Sequence, residues 1–178
     1  MQQMDPSPTT STHAERPGPL YLTWDDLTTA TATLAHQVAA AGMPQAVVGI
    51  VRGGLIPAAW LAHRLAIRDV RTVEVTRTTS DGINAAKSTV PAVRNPASLG
   101  DLTDLDVLLV DDIAGSGGTL THTARLIHDL GPARVRTAVF AVNRANWTQS
   151  SDPHRDIDYI ASLTDTWVVF PWEGQHER

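Results

Sequence analysis

The stretch VLLVDDIAGSGGTL, Val107 to Leu120, constrains the fold more than any other part of the chain. Its opening run of apolar residues predicts a strand buried on both faces, the habit of a parallel sheet. Two carboxylates, Asp111 and Asp112, follow at its C-terminal edge, and a run of small residues then opens a helix. Ligands of open α/β sheets bind at that edge. The expected fold is therefore α/β, three αβα layers around a central, mostly parallel sheet.

Neighbouring segments keep the same rhythm. From Thr23, the residues Leu27, Ala30, Leu34 and Val38 recur at helical spacing until Ala41-Gly42 stops the pattern. The run AVVGIV, Ala46–Val51, reads as a buried strand that enters Arg52-Gly53-Gly54. Pro57 suits the first turn of the helix that follows, with Leu61 and Leu65 facing inward. Further strands are expected at Thr72–Thr76, Asp106–Val110 and Val135–Val142, and a helix from Thr119 to Leu130 ended by Gly131-Pro132. Strands alternating with helices predict right-handed crossovers.

Two stretches stand outside this rhythm. Residues 1–19 are polar, hold four prolines and show no periodicity, which predicts a disordered tail. Residues 77–105 are rich in Thr, Ser, Asn, Pro and Gly, and a connection of that length predicts a flexible lid or binding loop. Residues 20–178 then make one domain.

Charge and composition narrow the partners. A net charge of -5 lacks the basic face of a nucleic-acid binder. The absence of cysteine removes disulfides and thiolate metal sites. No apolar run has the length of a membrane span, and no secretion signal is visible, so a cytoplasmic protein is expected.

The loop Gly115-Ser116-Gly117-Gly118-Thr119 carries almost no side-chain bulk, so its N–H groups can approach a phosphate, aided by the helix dipole. Asp111 and Asp112 would repel a phosphate but suit the hydroxyls of a sugar, or Mg²⁺ shared with substrate oxygens. A ribose phosphorylated at one end meets both requirements. A Walker loop needs Lys where Gly118 stands, and a dinucleotide loop places its glycines before its acid. A plain strand-to-helix turn bearing two exposed acids is the remaining alternative.

Val107 to Leu120 resembles the signature of type I phosphoribosyltransferases. YLTWDDL (Tyr21–Leu27), VRGGLIPAAWLAHRLAIRDV (Val51–Val70) and DTWVVFPWE (Asp165–Glu173) resemble segments of the bacterial xanthine-guanine members. The similarity covers roughly residues 21–173 apart from the middle loop. It implies phosphoribosyl pyrophosphate and a purine-like base as ligands, with Mg²⁺ as cofactor. Ala114, Gly115, Ser116, Gly117, Gly118 and Thr119 would cradle the 5′-phosphate. Asp111 and Asp112 would hold the ribose hydroxyls, Asp112 beside the metal. Arg52 and Gly53 would bind pyrophosphate, with the Val51–Arg52 peptide cis. The resemblance also implies a C-terminal hood over about residues 143–178, in which Trp167 lies against the base and the Val168 backbone reads its edge. Ile113, Val142 and Asn143 complete that pocket. Loop 77–105 would close over the site, with Arg77, Lys87 and Arg94 as candidate late-arriving cations and Lys87 favoured. Relatives suggest a homo-oligomer, dimer or tetramer. Trp24, Trp60, Trp147 and Trp172 read as packing residues, and the seven His show no metal-ligand spacing.

Two positions depart from that family's pattern. Gly115 stands where 6-oxopurine enzymes carry a third Asp for purine N7, and Val142 where they carry a Lys for the exocyclic O6. A pocket without both groups suits a base lacking the N7 acceptor, such as a 7-deazapurine, or one with a 6-amino group. The alternative is that Asn143 and water take over and the enzyme salvages guanine, xanthine or hypoxanthine. A non-catalytic sensor of phosphoribosyl pyrophosphate or nucleotide, and transfer to a pyrimidine, are the other readings. The retained Arg52 and Trp167 favour an enzyme over the sensor, and the DTWVVFPWE segment speaks against a pyrimidine.

Overall fold

The computed structural model describes residues 18–78 and 87–173. A six-stranded sheet in the order β4-β3-β2-β5-β6-β7 forms its middle. The strands are β2 (Ala46–Val51), β3 (Asp69–Thr78), β4 (Lys87–Val93), β5 (Asp106–Ala114), β6 (Arg134–Asn143) and β7 (Tyr159–Thr164). All neighbours run parallel except β4, which is antiparallel to β3. Helices α1 (Trp24–Ala40) and α2 (Leu55–Arg64) cover one face, where Leu27, Leu34, Val38 and Leu61 meet Val47, Leu108 and Phe140. Helix α3 (Gly118–His128) covers the other through Leu120 and Ile127, against Val48, Leu109 and Val139. These are the three layers expected. A short α4 (Pro153–Asp156) leads into β7.

Local chemistry sets the ends of these elements. Thr23 caps α1 with a reciprocal pair of bonds: its Oγ1 accepts from Asp26 N–H at 3.2 Å and its own N–H donates to Asp26 Oδ2 at 2.8 Å. Such a box contributes about 1 kcal/mol. At Gly49 a Cβ would lie 2.9 Å from the Ala58 Cβ, so the glycine lets α2 press onto β2. At the N-terminal edge of the sheet, the buried Arg136 guanidinium clasps Asp106 in two bonds of 3.0 and 2.8 Å. It also donates to the Gly42 carbonyl at 2.9 Å. That knot ties the start of β5 and β6 to the end of α1, at the opposite edge from the site.

Several expectations shift. The third strand of the sequence pattern runs four residues further, through Ala114, because β6 pairs with Asp111, Ile113 and Ala114 as well. Asp111 and Asp112 therefore sit on a strand rather than past its end. The 77–105 stretch is more regular than its polar composition indicated: β3 reaches Thr78, β4 returns antiparallel, and a 3₁₀ turn at Pro96–Leu99 precedes Leu102, with Leu99 and Leu102 fully buried. Its residues 79–86 lie outside the described residues, as do 1–17 of the expected tail. The 143–178 stretch divides in two. Its β7 joins the central sheet, while β8 (Val168–Val169) pairs parallel with β1 (Leu20–Tyr21) as a separate ribbon beside the site. Among the described residues no helix is long and apolar enough to cross a membrane.

Candidate active site

A cleft of about 640 Å³ opens over the C-terminal ends of β2, β3, β5 and β6 and reaches β8. Its first wall is the turn leaving β2. The Val51–Arg52 peptide is cis. Gly54 donates to the Ile50 carbonyl at 2.8 Å, and a Cβ on it would lie 2.5 Å from the Val110 carbonyl oxygen. A Cβ on Gly53 would lie 2.1 Å from Asp112 Oδ2. Close approach, not backbone conformation, therefore demands both glycines. Together they let the turn pack against the acid pair, Gly53 on Asp112 and Gly54 on the Asp111 backbone, and Arg52 and Gly53 line the cleft.

Asp111 and Asp112 are stabilised locally by the backbone. Asp111 Oδ1 accepts from Asp112 N–H at 3.1 Å, and Asp112 Oδ1 from Ile113 N–H at 2.7 Å. Those bonds do not compensate fully. Burial, then the neighbouring Asp112 charge, pushes the Asp111 carboxyl well above its usual range. Burial raises Asp112 to about 6, and the negative charge of Glu173 adds to it against the pull of the Ile113 N–H. Asp111 and Glu173 line the cleft, whereas the Asp112 carboxylate lies against Gly53 and does not line it; Glu173 Oε2 accepts from Phe170 N–H at 2.9 Å. Carboxylates held this way call for a cation or sugar hydroxyls. Among the described residues no three His, Cys, Asp or Glu side chains converge to hold a metal by themselves. A cation here needs ligand oxygens to complete its shell, which suits Mg²⁺, an ion bound through one or two carboxylates and substrate phosphates.

The loop 115–119 is held from behind. Gly117 has φ +74°, and a Cβ on it would sit 2.7 Å from the Trp147 ring. Trp147 is anchored by its indole N–H, which donates to the Ser151 carbonyl at 2.8 Å. The Ser116 carbonyl accepts from Gln149 Nε2 at 2.8 Å and Thr148 Oγ1 at 3.3 Å. One carbonyl of the loop is thus engaged by the 147–149 segment, and α3 begins at Gly118, whose N–H donates to Ser116 Oγ at 3.4 Å, with the first turn's N–H groups outside the helix's own ladder. Ala114, Gly115, Ser116, Gly117 and Thr119 line the cleft there.

At the far end lie Ile113, Asn143, Trp167 and Val168. Trp167 is 38% exposed, and its carbonyl accepts from Leu20 N–H at 2.7 Å, as that of Val169 does from Leu22 at 3.0 Å. Backbone groups alternate along a strand, so those of Val168 face away from β1. Val142 does not join them. Its side chain is fully buried in the α3-side core, and the next residue, Asn143, lines the cleft instead. Position in an aligned motif could not show which of the two adjacent residues faces the ligand.

Of the three candidate cations, Arg94 lines the cleft, 3.7 Å from Glu74. Lys87 opens β4 opposite Thr78, and Arg77 lies on β3. Sequence reasoning missed Glu173 and Glu74 in the cleft, and Gln149 and the Trp147 support behind the loop. Only Glu173 left a signal, as the last residue of DTWVVFPWE. Three of the five tryptophans share one cluster, Trp24 lying 6.1 Å from both Trp60 and Trp172, although Trp24 is half-exposed rather than enclosed.

Comparison with known proteins gives concordant results. Residues 22–177 match the family described as phosphoribosyl transferase domain. A xanthine-guanine phosphoribosyltransferase of Gluconobacter oxydans is 31% identical over 153 residues, covering 85% of this chain and 83% of the relative. One from Ruegeria is 31% identical over 160 residues, covering 86% and 84%. The crystal structure of a purine phosphoribosyltransferase from Pyrococcus horikoshii superposes with a TM-score of 0.72 at 30% identity, covering 89% of this chain and 95% of that one.

Proposed function

The chain belongs to the phosphoribosyl transferase family, enzymes of the glycosyltransferase class, and from that premise we propose that it moves ribose 5-phosphate from phosphoribosyl pyrophosphate onto a ring nitrogen of a purine-like base. The C1–oxygen bond to pyrophosphate breaks, a C1–nitrogen bond forms, and the base gives up its ring N–H proton. The observation that supports this reading is the close approach of Gly53 to Asp112, two residues that the resemblance assigns to pyrophosphate and to ribose.

Each end of the sugar has its partner. The 5′-phosphate rests on the N–H groups from Gly115 to Thr119, and the ribose hydroxyls donate to Asp111 and Asp112. Charge developing on the departing pyrophosphate is met by Arg52 and the Gly53 backbone, both of which line the cleft. Asp112, with Asp111 and substrate oxygens, would hold Mg²⁺, which would supply further neutralisation of that charge. Trp167 offers a face for the base, and Val168 its backbone donor and acceptor.

The base itself is a purine-like ring without an N7 acceptor, as in a 7-deazapurine. Support comes from Gly115: a Cβ there would meet nothing closer than the Asn146 Cβ at 3.8 Å, so the absent side chain is not a requirement of packing. The names of the relatives favour a second reading, salvage of guanine, xanthine or hypoxanthine. Pyrophosphate release measured against these bases, adenine and a 7-cyano-7-deazapurine separates them. The 7-deaza base should be turned over fastest; guanine as best substrate sinks the refinement, and release with no base at all sinks the transfer reading.

A further inference from the structure

Among the described residues, one buried side-chain atom has no hydrogen-bond partner, the Oδ1 of Asn143. Asn143 ends β6, is 4% exposed and lines the cleft beside Trp167 and Val168. Its amide orientation is set from the other end, where Nδ2 donates to the Thr166 carbonyl at 2.9 Å. Turning the amide over would bring two carbonyl oxygens face to face, so the oxygen is the end left for something else. A buried acceptor without a donor is costly enough that native structures seldom keep one without a use for it. The next residue offers no substitute donor: Arg144 is engaged with Asp165 through bonds of 3.0 and 2.5 Å.

Building on the transfer reaction above, we propose that Asn143 selects the base by polarity, its Oδ1 accepting from an N–H of the bound ring, so that the cleft takes a base presenting an exocyclic amino group there and turns away one presenting a carbonyl. An amino group meets the orphaned oxygen with a donor. A carbonyl in the same place sets lone pairs against lone pairs and leaves two acceptors unmet instead of one. The same amide steadies the Thr166 turn before Trp167, so acceptor and stacking face are held by one side chain.

Matched bases that differ only in amino against oxo test this: adenine with hypoxanthine, and 2,6-diaminopurine with guanine, each also in its 7-deaza form. The 7-deaza pairs keep the test independent of the N7 question. In the wild-type protein, kcat/KM should favour the amino member about tenfold to a hundredfold. Asn143→Leu should bring that ratio to about one, because it removes the acceptor. Asn143→Asp keeps an acceptor but loses the bond to Thr166; the ratio should persist while KM rises for both members. Melting curves show whether either variant is folded. A wild-type ratio at or below one overturns the proposal without any variant, as does an unchanged ratio in folded Asn143→Leu. If no base is turned over, the Kd values of AMP and IMP carry the same comparison. AMP preferred by the wild type and not by Asn143→Leu upholds the acceptor while removing the transfer reading; equal binding removes both.

Discussion

The two ends of the cleft are built from different materials. The end proposed to take ribose-phosphate is mostly backbone: the end of β5, a turn of small residues, and a second turn pressed so close that Gly53 admits no Cβ. The end proposed to take the base is made of side chains gathered from β5, β6 and the residue before β8, namely Ile113, Asn143 and Trp167 beside the Val168 backbone. A backbone site can change only by changing the fold. A side-chain site can be rewritten one residue at a time, as Asn143 illustrates. Substitutions at the first end should therefore abolish the chemistry, and those at the second should redirect it.

Gly53→Ala is the severest test of that division. The new Cβ would fall 2.1 Å from Asp112 Oδ2, so the carboxylate must leave its place or the turn must lift from β5. Turnover should fall about a hundredfold to a thousandfold, the scale of losing a preorganised charge-stabilising group. Equal kcat/KM in the variant would show that the two turns do not act together.

Asp112→Asn separates stability from activity at the same end. Burial lifts the Asp112 pKa from its ordinary 3.8 to about 6. Between those values the folded protein binds a proton more tightly than the unfolded chain, so stability falls as pH rises from about 4 to about 6 and then levels off. The half-buried side chain limits the cost to about 1–3 kcal/mol. The Asn variant escapes that loss, and its Tm at pH 8 should rise by several degrees, roughly 3–8 °C, while turnover collapses. An unchanged or lower Tm at pH 8, measured by calorimetry without ligands, would show that the carboxylate is compensated within the protein.

The same division explains what could be read in the chain beforehand. Glycine and acid runs of the phosphate loop are local in sequence, and the buried strands announced themselves as uninterrupted apolar runs; Ala46–Val51 has the bounds its pattern predicted. Strand β4 was hidden because a strand at the sheet edge, carrying Lys, Ser, Thr and Pro, has no apolar run to show. Strands β1 and β8 have two residues each, too short for any periodicity. At the base end, Val142 and Asn143 are adjacent, and only the packing of Val142 into the α3-side core reveals which side chain reaches the cleft. Gln149 holds the Ser116 carbonyl from thirty-three residues away, a relation that no local pattern encodes.

Trp167→Ala probes the base end by removing its stacking face. Stacking contributes about 1–3 kcal/mol per base, so KM for the base should rise roughly fivefold to more than a hundredfold. KM for phosphoribosyl pyrophosphate should change little, since that ligand lies at the other end. Parallel rises in both constants would mean that Trp167 supports the whole cleft and that the two ends are not separable.

Gly115→Asp should have the mildest effect on the protein and is the sharpest test of specificity. Gly115 is not among the positive-φ glycines, and an added Cβ meets only Asn146 at 3.8 Å, an ordinary contact. Stability should therefore change by less than about 1 kcal/mol, the range of a substitution that neither clashes nor strains the backbone. The new carboxyl would stand at the junction of the two ends, on the loop proposed to grip phosphate yet near the proposed base site. If the loop side chain decides the five-membered ring, preference should move toward bases that carry N7 by about tenfold, with 5′-phosphate binding weakened by the added charge to a smaller extent. The comparison to make is guanine against its 7-deaza analogue in wild type and variant, reported as the ratio of kcat/KM. A ratio that stays constant while overall activity falls would place Gly115 wholly within the phosphate site, and the identity of the base would then rest on β6 and β8 alone.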